Sequence, residues 1–474
     1  MCKKLNTFCF FFLTTFCFAQ DSITIIQINF EGNKKTKERV IRNELAITEG
    51  DRFLKSDIPK LINDNENRLK SFGLFNTAEI ITHEEGEEEL RLDVKLVENW
   101  YLYPSPIFEL GDRSFNAWWK EQNHELDRIN YGVRGRHYNL TGNKDPILVV
   151  AQFGYTKKFE GEYSFPYLFE NKNIGFSASI YFASNKEIPY KTLDNKPQFY
   201  MHEDERVMLQ RFRTSFNVRM RPSVQIHHSF SVEYHKNAVD DFVLEELNPN
   251  YFLHGKNSLQ FFMLNYDIQY DRRINYLMPY SGYRLRFNVK KEGLGVFKEQ
   301  NALLSQAIFE FYIPFISSKI DTETESTFGF GSKISGKTNL IRRQQAFANN
   351  TGLGWSGDLV SGFDLYVMDG LDHVLFTNHI KKQILNFDYV LEAVPFLPTQ
   401  FKSINIQAHL RFNFDFAYIN EPVYTDTNTL NNRWIYGFGP ALDIIIYNSY
   451  LFSFEYSFND LGERGLFLEA SNAF

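Results

Sequence analysis

The chain is poor in cysteine, with three in 474 residues, at positions 2, 9 and 17. Beyond residue 20 there is no disulfide, thiol nucleophile or thiolate metal ligand, which excludes a small cystine-stapled scaffold. An excess of positive charge is also missing: 51 Lys and Arg stand against 58 Asp and Glu, a net charge of −7. Phosphate affinity needs a clustered positive surface, so nucleic acid is not an expected partner. Past the first twenty residues no apolar run approaches the ~18 residues that a membrane-spanning helix needs. There is no phosphate-binding loop, nucleophile elbow, His-Glu-x-x-His pair or cysteine cluster. His227 and His228 sit next to each other in an alternating run, so they face opposite ways and cannot share a metal. No catalytic residue, metal site or cofactor is expected, and the chain does not read as an enzyme.

What is abundant is the aromatic side chain. Phe 48, Tyr 26 and Trp 5 make up 17% of the chain, yet the mean hydropathy is −0.36. An apolar share of 43% excludes a disordered polymer. Many aromatics, a polar average and no spanning helix together indicate strands with two chemically different faces.

Residues 1–20 carry Lys3 and Lys4, an apolar stretch Leu5–Phe18, and small residues around Ala19. That is the anatomy of a secretory signal peptide. Residues 21–99 then read as one small module. Ile23–Phe30 is a β-branched strand closed by Gly32-Asn33, and Thr36 is placed to cap a helix carrying Val40, Ile41 and Leu45, with Gly50 after it. Ser56-Asp57 opens a second helix through Leu61, Ile62 and Leu69, stopped at Gly73. Two strands follow, Phe75–Thr82 and Glu88–Val97, the second alternating Leu90, Leu92, Val94 and Leu96 with charged residues. The expected order is β-α-α-β-β.

This module resembles a POTRA domain through Ile28, Gly32, Asn33, Val40, Ile41, Leu45, Gly50, Asp51, Leu69, Gly73, Leu74 and Phe75. The resemblance implies a sheet edge that accepts extended polypeptide by strand addition. The plainer alternative is a rigid spacer without a ligand.

From residue 100 the period becomes two. Phe212, Thr214, Phe216 and Val218 oppose Arg213, Ser215 and Asn217, and 226–234 repeats the pattern. The longest run sets Ile404, Ile406, Ala408, Leu410, Phe412, Phe414, Phe416 and Tyr418 against Asn405, Gln407, His409, Arg411, Asn413 and Asp415. Residues 283–290 and 450–458 behave alike. A soluble sandwich has one solvated face too, but its strands average ~5–6 residues. Runs of nine or more, aromatics near their ends and a secretory leader favour strands in a membrane. There every backbone polar group must be paired internally, so the strands must close into a barrel. The length of 100–474 suits about sixteen strands. A long loop is expected within 335–400. The mixed signs of Arg284, Arg286, Lys290, Arg411 and Asp415 suggest a wet lumen without strong ion selectivity.

Four stretches are more specific than alternation. Asn130–Arg134 with Asn139–Asn143, and Tyr163–Pro166 with Tyr167-Leu168, resemble opening strands of the BamA/TamA superfamily. Asp271 and Arg272 followed by Pro279 and Gly282 resemble its wall motif, and Val360, Ser361, Gly362 and Phe363 its long-loop motif. The family's motif arginine would fall at Ser361. That guanidinium anchors the loop on a wall carboxylate, a charge-assisted contact that serine is not expected to replace. Asp369-Gly370 reads as a simple turn. The terminal Phe474 resembles the targeting signal of bacterial barrels.

The expected fold is thus an all-β transmembrane barrel of about sixteen antiparallel strands, preceded by one small α+β POTRA-like domain. The resemblance implies an outer-membrane assembly or translocation factor whose N-terminal domain is periplasmic. Its partners would be outer-membrane lipid and unfolded outer-membrane or secreted proteins, with periplasmic chaperones or lipoproteins as accessories. A lateral seam between segments near 100–110 and 464–474 would admit the client. One POTRA-like module suggests a specialised role. Rival readings are a dedicated secretion pore for one partner and a passive porin.

Overall fold

The computed structural model describes residues 21–474 except 72, 87, 113, 167–173, 224, 274–276, 299, 322–323, 350–351, 356–357, 391–402, 423–427, 447–449 and 473–474. The leader, Tyr167-Leu168 and Phe474 therefore lie outside the described residues. Two compact units emerge: one runs to Tyr101 and includes a returning segment, Tyr138–Lys144; the other holds Leu102–His137 and the rest of the chain from Asp145.

The first unit contains β1 (Ser22–Glu31), α1 (Glu38–Glu44), β2 (Arg52–Leu54), α2 (Ile58–Ser71), β3 (Phe75–Glu84) and β4 (Glu89–Glu98). Its sheet order is β2-β1-β4-β3, with β1 and β4 parallel. Leu90, Leu92, Val94 and Leu96 of β4 are all buried, as their period of two requires. In β1 a register shift between Ile25 and Gln27 moves the inward face from odd to even positions, so Ile23, Ile25 and Ile28 all reach the core. Val40, Ile41 and Leu69 bring the two helices onto it, each such side chain stabilising the fold by roughly 1.5–3 kcal/mol.

Glycine is required at position 32, where φ is +89° and an added Cβ would lie 1.9 Å from the Leu96 carbonyl oxygen. Gly50 and Gly73 also have positive φ, Gly73 just after α2. Asn33 Nδ2 donates to the Thr36 carbonyl at 3.1 Å, and Phe75 opens β3 fully buried.

Two details differ from the pattern reading. The cap of α1 is Lys37, without a side-chain cap hydrogen bond. Thr36 is instead drawn inward: its N–H donates to Glu98 Oε1 at 2.6 Å, its hydroxyl is hydrogen-bonded to Tyr101 Oη at 3.0 Å, and Asn139 Nδ2 donates to it at 3.0 Å. The second difference is β2, three residues paired antiparallel with β1 and too short to show a period.

The second unit is a sixteen-stranded antiparallel meander. It opens with β5 (Leu102–Leu110), β6 (Ile129–His137), β7 (Ile147–Gly154), β8 (Thr156–Phe165) and β9 (Ile174–Asn185). A separate hairpin, β10 (Glu187–Leu193) and β11 (Lys196–Met201), interrupts the sequence before β12 (Leu209–Met220) pairs with β9. Then come β13 (Ile226–Val239), β14 (Ser258–Asp271), β15 (Gly282–Glu292), β16 (Ala302–Asp321) and β17 (Thr324–Asn339). The last five are β18 (Asp372–Val390), β19 (Ser403–Asn420), β20 (Trp434–Ile446), β21 (Tyr450–Asn459) and β22 (Arg464–Asn472). The long connection is 340–371, within the expected 335–400, with β17 and β18 taking the flanks of that stretch.

The faces are inverted relative to a soluble protein. On β19, Leu410, Phe412, Phe414 and Phe416 are 36–51% exposed, while His409, Asn413 and Asp415 are no more than 7% exposed. An apolar exterior over a polar interior is the arrangement that lipid selects. The terminal strands β5 and β22 both line one cavity of about 810 Å³, and among the described residues no ladder joins them. The protein is an all-β transmembrane barrel preceded by a small α+β domain.

Candidate functional site

We call the end of the barrel where β5 begins the near end, and the end from which 340–371 emerges the far end. The long connection packs apolar residues against the wall: Val360 and Phe363 are fully buried with Leu353, Met368, Leu375, Ala417, Ile419 and Ile435. This packing brings the Val360–Phe363 motif to β19, β20 and β21. The Ser361 N–H and O–H donate to Asp415 Oδ2 at 3.1 and 2.7 Å, and the Asn378 N–H holds the other carboxylate oxygen at 3.0 Å.

The expected loss of the wall anchor therefore does not occur. A serine reaches the carboxylate because the loop backbone comes unusually close. A Cβ on Gly437 of β20 would lie 1.7 Å from the Ser361 carbonyl oxygen, so that approach requires glycine. Gly362 has φ +78°, and its carbonyl accepts from Asn459 Nδ2 at 2.9 Å. Asp369 is more than a turn residue: it is 3% exposed and accepts from Trp355 Nε1 at 2.8 Å.

The wall motif is shifted by one residue. Asp271 ends β14, but its partner is Arg273, at 2.7 Å, which also pairs with Glu310 at 3.0 Å. Arg272 is exposed, since consecutive residues leave a strand end in opposite directions. Arg284 joins the same Glu310 carboxylate. Gly282 opens β15 at φ +98°, where a Cβ would meet the Arg272 carbonyl oxygen at 2.2 Å. Pro279 is buried; its carbonyl accepts from Lys381 Nζ at 2.5 Å, beside a 2.8 Å hydrogen bond between Tyr280 Oη and His409 Nδ1. Lys381, 2% exposed, is not singled out by the sequence, and His409, 1% exposed, reads there only as one polar-face residue among several. Their only signal was a polar phase within long alternating runs.

The cavity is lined by Glu109, Asp112, Asp364, Asp415, Glu455 and Glu469 against Lys333 and Arg411. Arg411 is committed to Asp443 at 2.7 and 3.0 Å and to Ser453 at 2.8 Å. The lining of this cavity is thus mainly acidic, whereas a second cavity is lined by His235, Lys290 and Lys337 with Glu292, so both signs line the interior at different places. Arg284 and Arg286 are held in the wall by Glu310 and Asp267.

A POTRA family model, described as surface antigen variable number repeat, matches residues 23–99, and an Omp85 superfamily domain model matches residues 139–364. This chain belongs to the Omp85 superfamily. Among curated Omp85 relatives, the outer membrane protein assembly factor BamA of Neorickettsia risticii (strain Illinois) is 22% identical over 284 residues. That match covers 57% of this chain and 32% of the relative, so the chain spans about a third of that protein. BamA from Haemophilus ducreyi lacking POTRA domains 1–3 superposes with a TM-score of 0.58 at 13% identity, covering 95% of this chain and 84% of that one. CdiB from Escherichia coli superposes with a TM-score of 0.56 at 12% identity, covering 95% and 75%. CdiB from Acinetobacter baumannii gives 0.51 at 12%, covering 95% and 74%. At such identities the solved structures speak for the fold alone.

Proposed function

We propose that this chain is a non-enzymatic factor of the outer membrane that inserts or translocates unfolded polypeptide. In this reading residues 1–20 direct export, 21–99 form a periplasmic POTRA domain, and 100–474 form the barrel. The observation that carries it is the arrangement of the two terminal strands: β5 and β22 flank one cavity without a ladder between them among the described residues. A strand edge is a template for a further strand. A second edge is β3, the outermost full-length strand of the first sheet, suited to hold an extended client by main-chain hydrogen bonds.

No nucleotide is required, because burying the client's apolar face in lipid and pairing its backbone supply the driving force. Clients are unfolded outer-membrane or secreted proteins, with periplasmic chaperones or lipoproteins delivering them. The Ser361–Asp415 contact, the Asp271–Arg273–Glu310 cluster and the Pro279–Gly282 turn keep the wall and loop in register during this work.

Comparative outer-membrane proteomics with and without the protein is the test. A fall in many barrel proteins supports insertion, and loss of one secreted protein supports dedicated export. Unchanged levels of both, together with large single-channel currents, would sink the proposal in favour of a passive porin.

A further inference from the structure

The far end of the seam lies between two connections: 111–128, which links β5 to β6, and 460–463, which links β21 to β22. A chain of side-chain contacts runs from one to the other. Glu121, at the end of the helical turn Ala117–Glu121, pairs with Lys196 Nζ at 3.2 Å. Lys196 is the first residue of β11, and its ammonium lies 5.5 Å from the ring centroid of Tyr366 in the long connection. The Tyr366 hydroxyl donates to both carboxylate oxygens of Glu463, at 2.8 and 2.9 Å. Glu463 immediately precedes β22. In parallel, Lys120 lies 5.7 Å from the ring centroid of Phe467 on β22 itself.

The intermediate members are held in place by their neighbours. The Val367 N–H donates to the Asn195 carbonyl at 2.8 Å, and Asn195 Nδ2 donates to the Val367 carbonyl at 3.3 Å. These bonds join the residues next to Lys196 and Tyr366. Asn459 Nδ2 donates to Glu463 Oε2 at 3.1 Å and, on the other side, to the Gly362 carbonyl at 2.9 Å. Both central contacts are therefore made between prearranged groups, which lowers the entropy lost in forming them.

We propose that Glu121, Lys196, Tyr366 and Glu463 form a staple across the far end of the seam. By it the hairpin β10–β11 and the long connection hold the first and last strands together without a backbone ladder. The staple deepens the proposed function and rests on it for its purpose: it sets how readily the seam parts for a client. Lys196 is 41% and Glu121 15% exposed, Tyr366 is part-buried and Glu463 exposed, so the contacts are partly solvated, weak enough to release and specific enough to reclose.

The test uses the full chain in lipid nanodiscs, without client, carrying nitroxide labels at Phe108→Cys and Leu466→Cys. Both positions are exposed and outside the staple. Past residue 20 the chain has no other cysteine, and the three before it are replaced by serine. One narrow label–label distance population is expected in the unaltered staple. Tyr366→Phe keeps the ring and removes only the hydroxyl; it is expected to raise a longer-distance population by up to about fivefold, as loss of one solvent-exposed hydrogen bond to a carboxylate would.

Lys196→Glu opens the seam similarly, and adding Glu121→Lys recloses it. Lys196→Met serves if Tyr366→Phe loses heat-modifiable migration and has not folded. Folded variants that keep the narrow population, or a broad one with the staple intact, overturn the proposal. The labels report without any client, so a responsive seam beside unchanged outer-membrane proteomes leaves the staple standing and removes only the assembly reading.

Discussion

Ser361 shows how a short side chain does a long one's task when the backbone moves closer. Two donors of one residue converge on one buried carboxylate oxygen. Ser361→Ala removes the hydroxyl and leaves the N–H, which should cost about 1.5–3 kcal/mol for a hydrogen bond to a charged acceptor. The expected sign is a lower temperature at which the folded barrel converts to its slower-migrating, heat-denatured form. An unchanged conversion temperature would count against the anchor.

Glu98 gives the first unit a pH dependence. Burial pushes its carboxyl up, but the Thr36 and Lys35 donors outweigh this and hold it below the ordinary glutamate range. A folded value below the unfolded one means stability present at higher pH and lost as pH falls through the folded value. Amide exchange at Lys35 and Thr36, corrected for intrinsic rates, should accelerate below about pH 4.3. Glu98→Gln should flatten that profile, and a profile indifferent to the substitution would refute the assignment.

Among elements, the connection 111–128 and the hairpin β10–β11 are joined by Arg128 as well as by the Lys196–Glu121 pair. Arg128 is 3% exposed, donates to both oxygens of Asp112 at 2.7–3.2 Å and pairs with Glu187. Its guanidinium also lies 4.7 and 4.8 Å from the Tyr155 and Phe199 ring centroids. Replacing it with methionine strands two carboxylates away from their partner, a loss of about 3–5 kcal/mol for a broken buried pair. Limited proteolysis should then cut within 111–128 or 186–201 while the barrel keeps its heat-modifiable migration. Arg128→Lys should restore protection only partly, because an ammonium cannot reproduce the planar fork.

That hairpin was not foreseen from sequence. Glu187–Leu193 and Lys196–Met201 pair only with each other, off the main sheet, and their local pattern does not differ from that of a wall strand. The runs in β12, β13, β15, β19 and β21 were legible because lipid outside and water inside impose the period of two along most of their length.

At the scale of the whole molecule, charge balance in the chain and charge balance in the cavity diverge. Arg273 and Arg284 are paired with Glu310 away from the cavity of about 810 Å³, and Arg411 on its lining is paired with Asp443, while Glu109, Glu455 and Glu469 line the same cavity. Current through the reconstituted barrel should favour cations, and Glu109→Gln with Glu469→Gln should weaken that preference. A reversal potential of the opposite sign in a salt gradient would contradict the acidic lining.

The amino-acid order alone determined the two-domain plan, the strand count and the face each alternating residue takes. Those follow from short-range periodicity and from the rule that no backbone polar group goes unpaired in lipid. Only the tertiary structure decided that Arg273 rather than Arg272 pairs with Asp271, that Ser361 still reaches Asp415, and that Tyr366 meets Glu463. The first is a local choice at a strand end, and the other two depend on separations of a few ångströms between segments 54 and 97 residues apart. For Ser361 the distance is set by how far Gly437 lets two backbones approach, and no periodicity in the chain encodes such an approach.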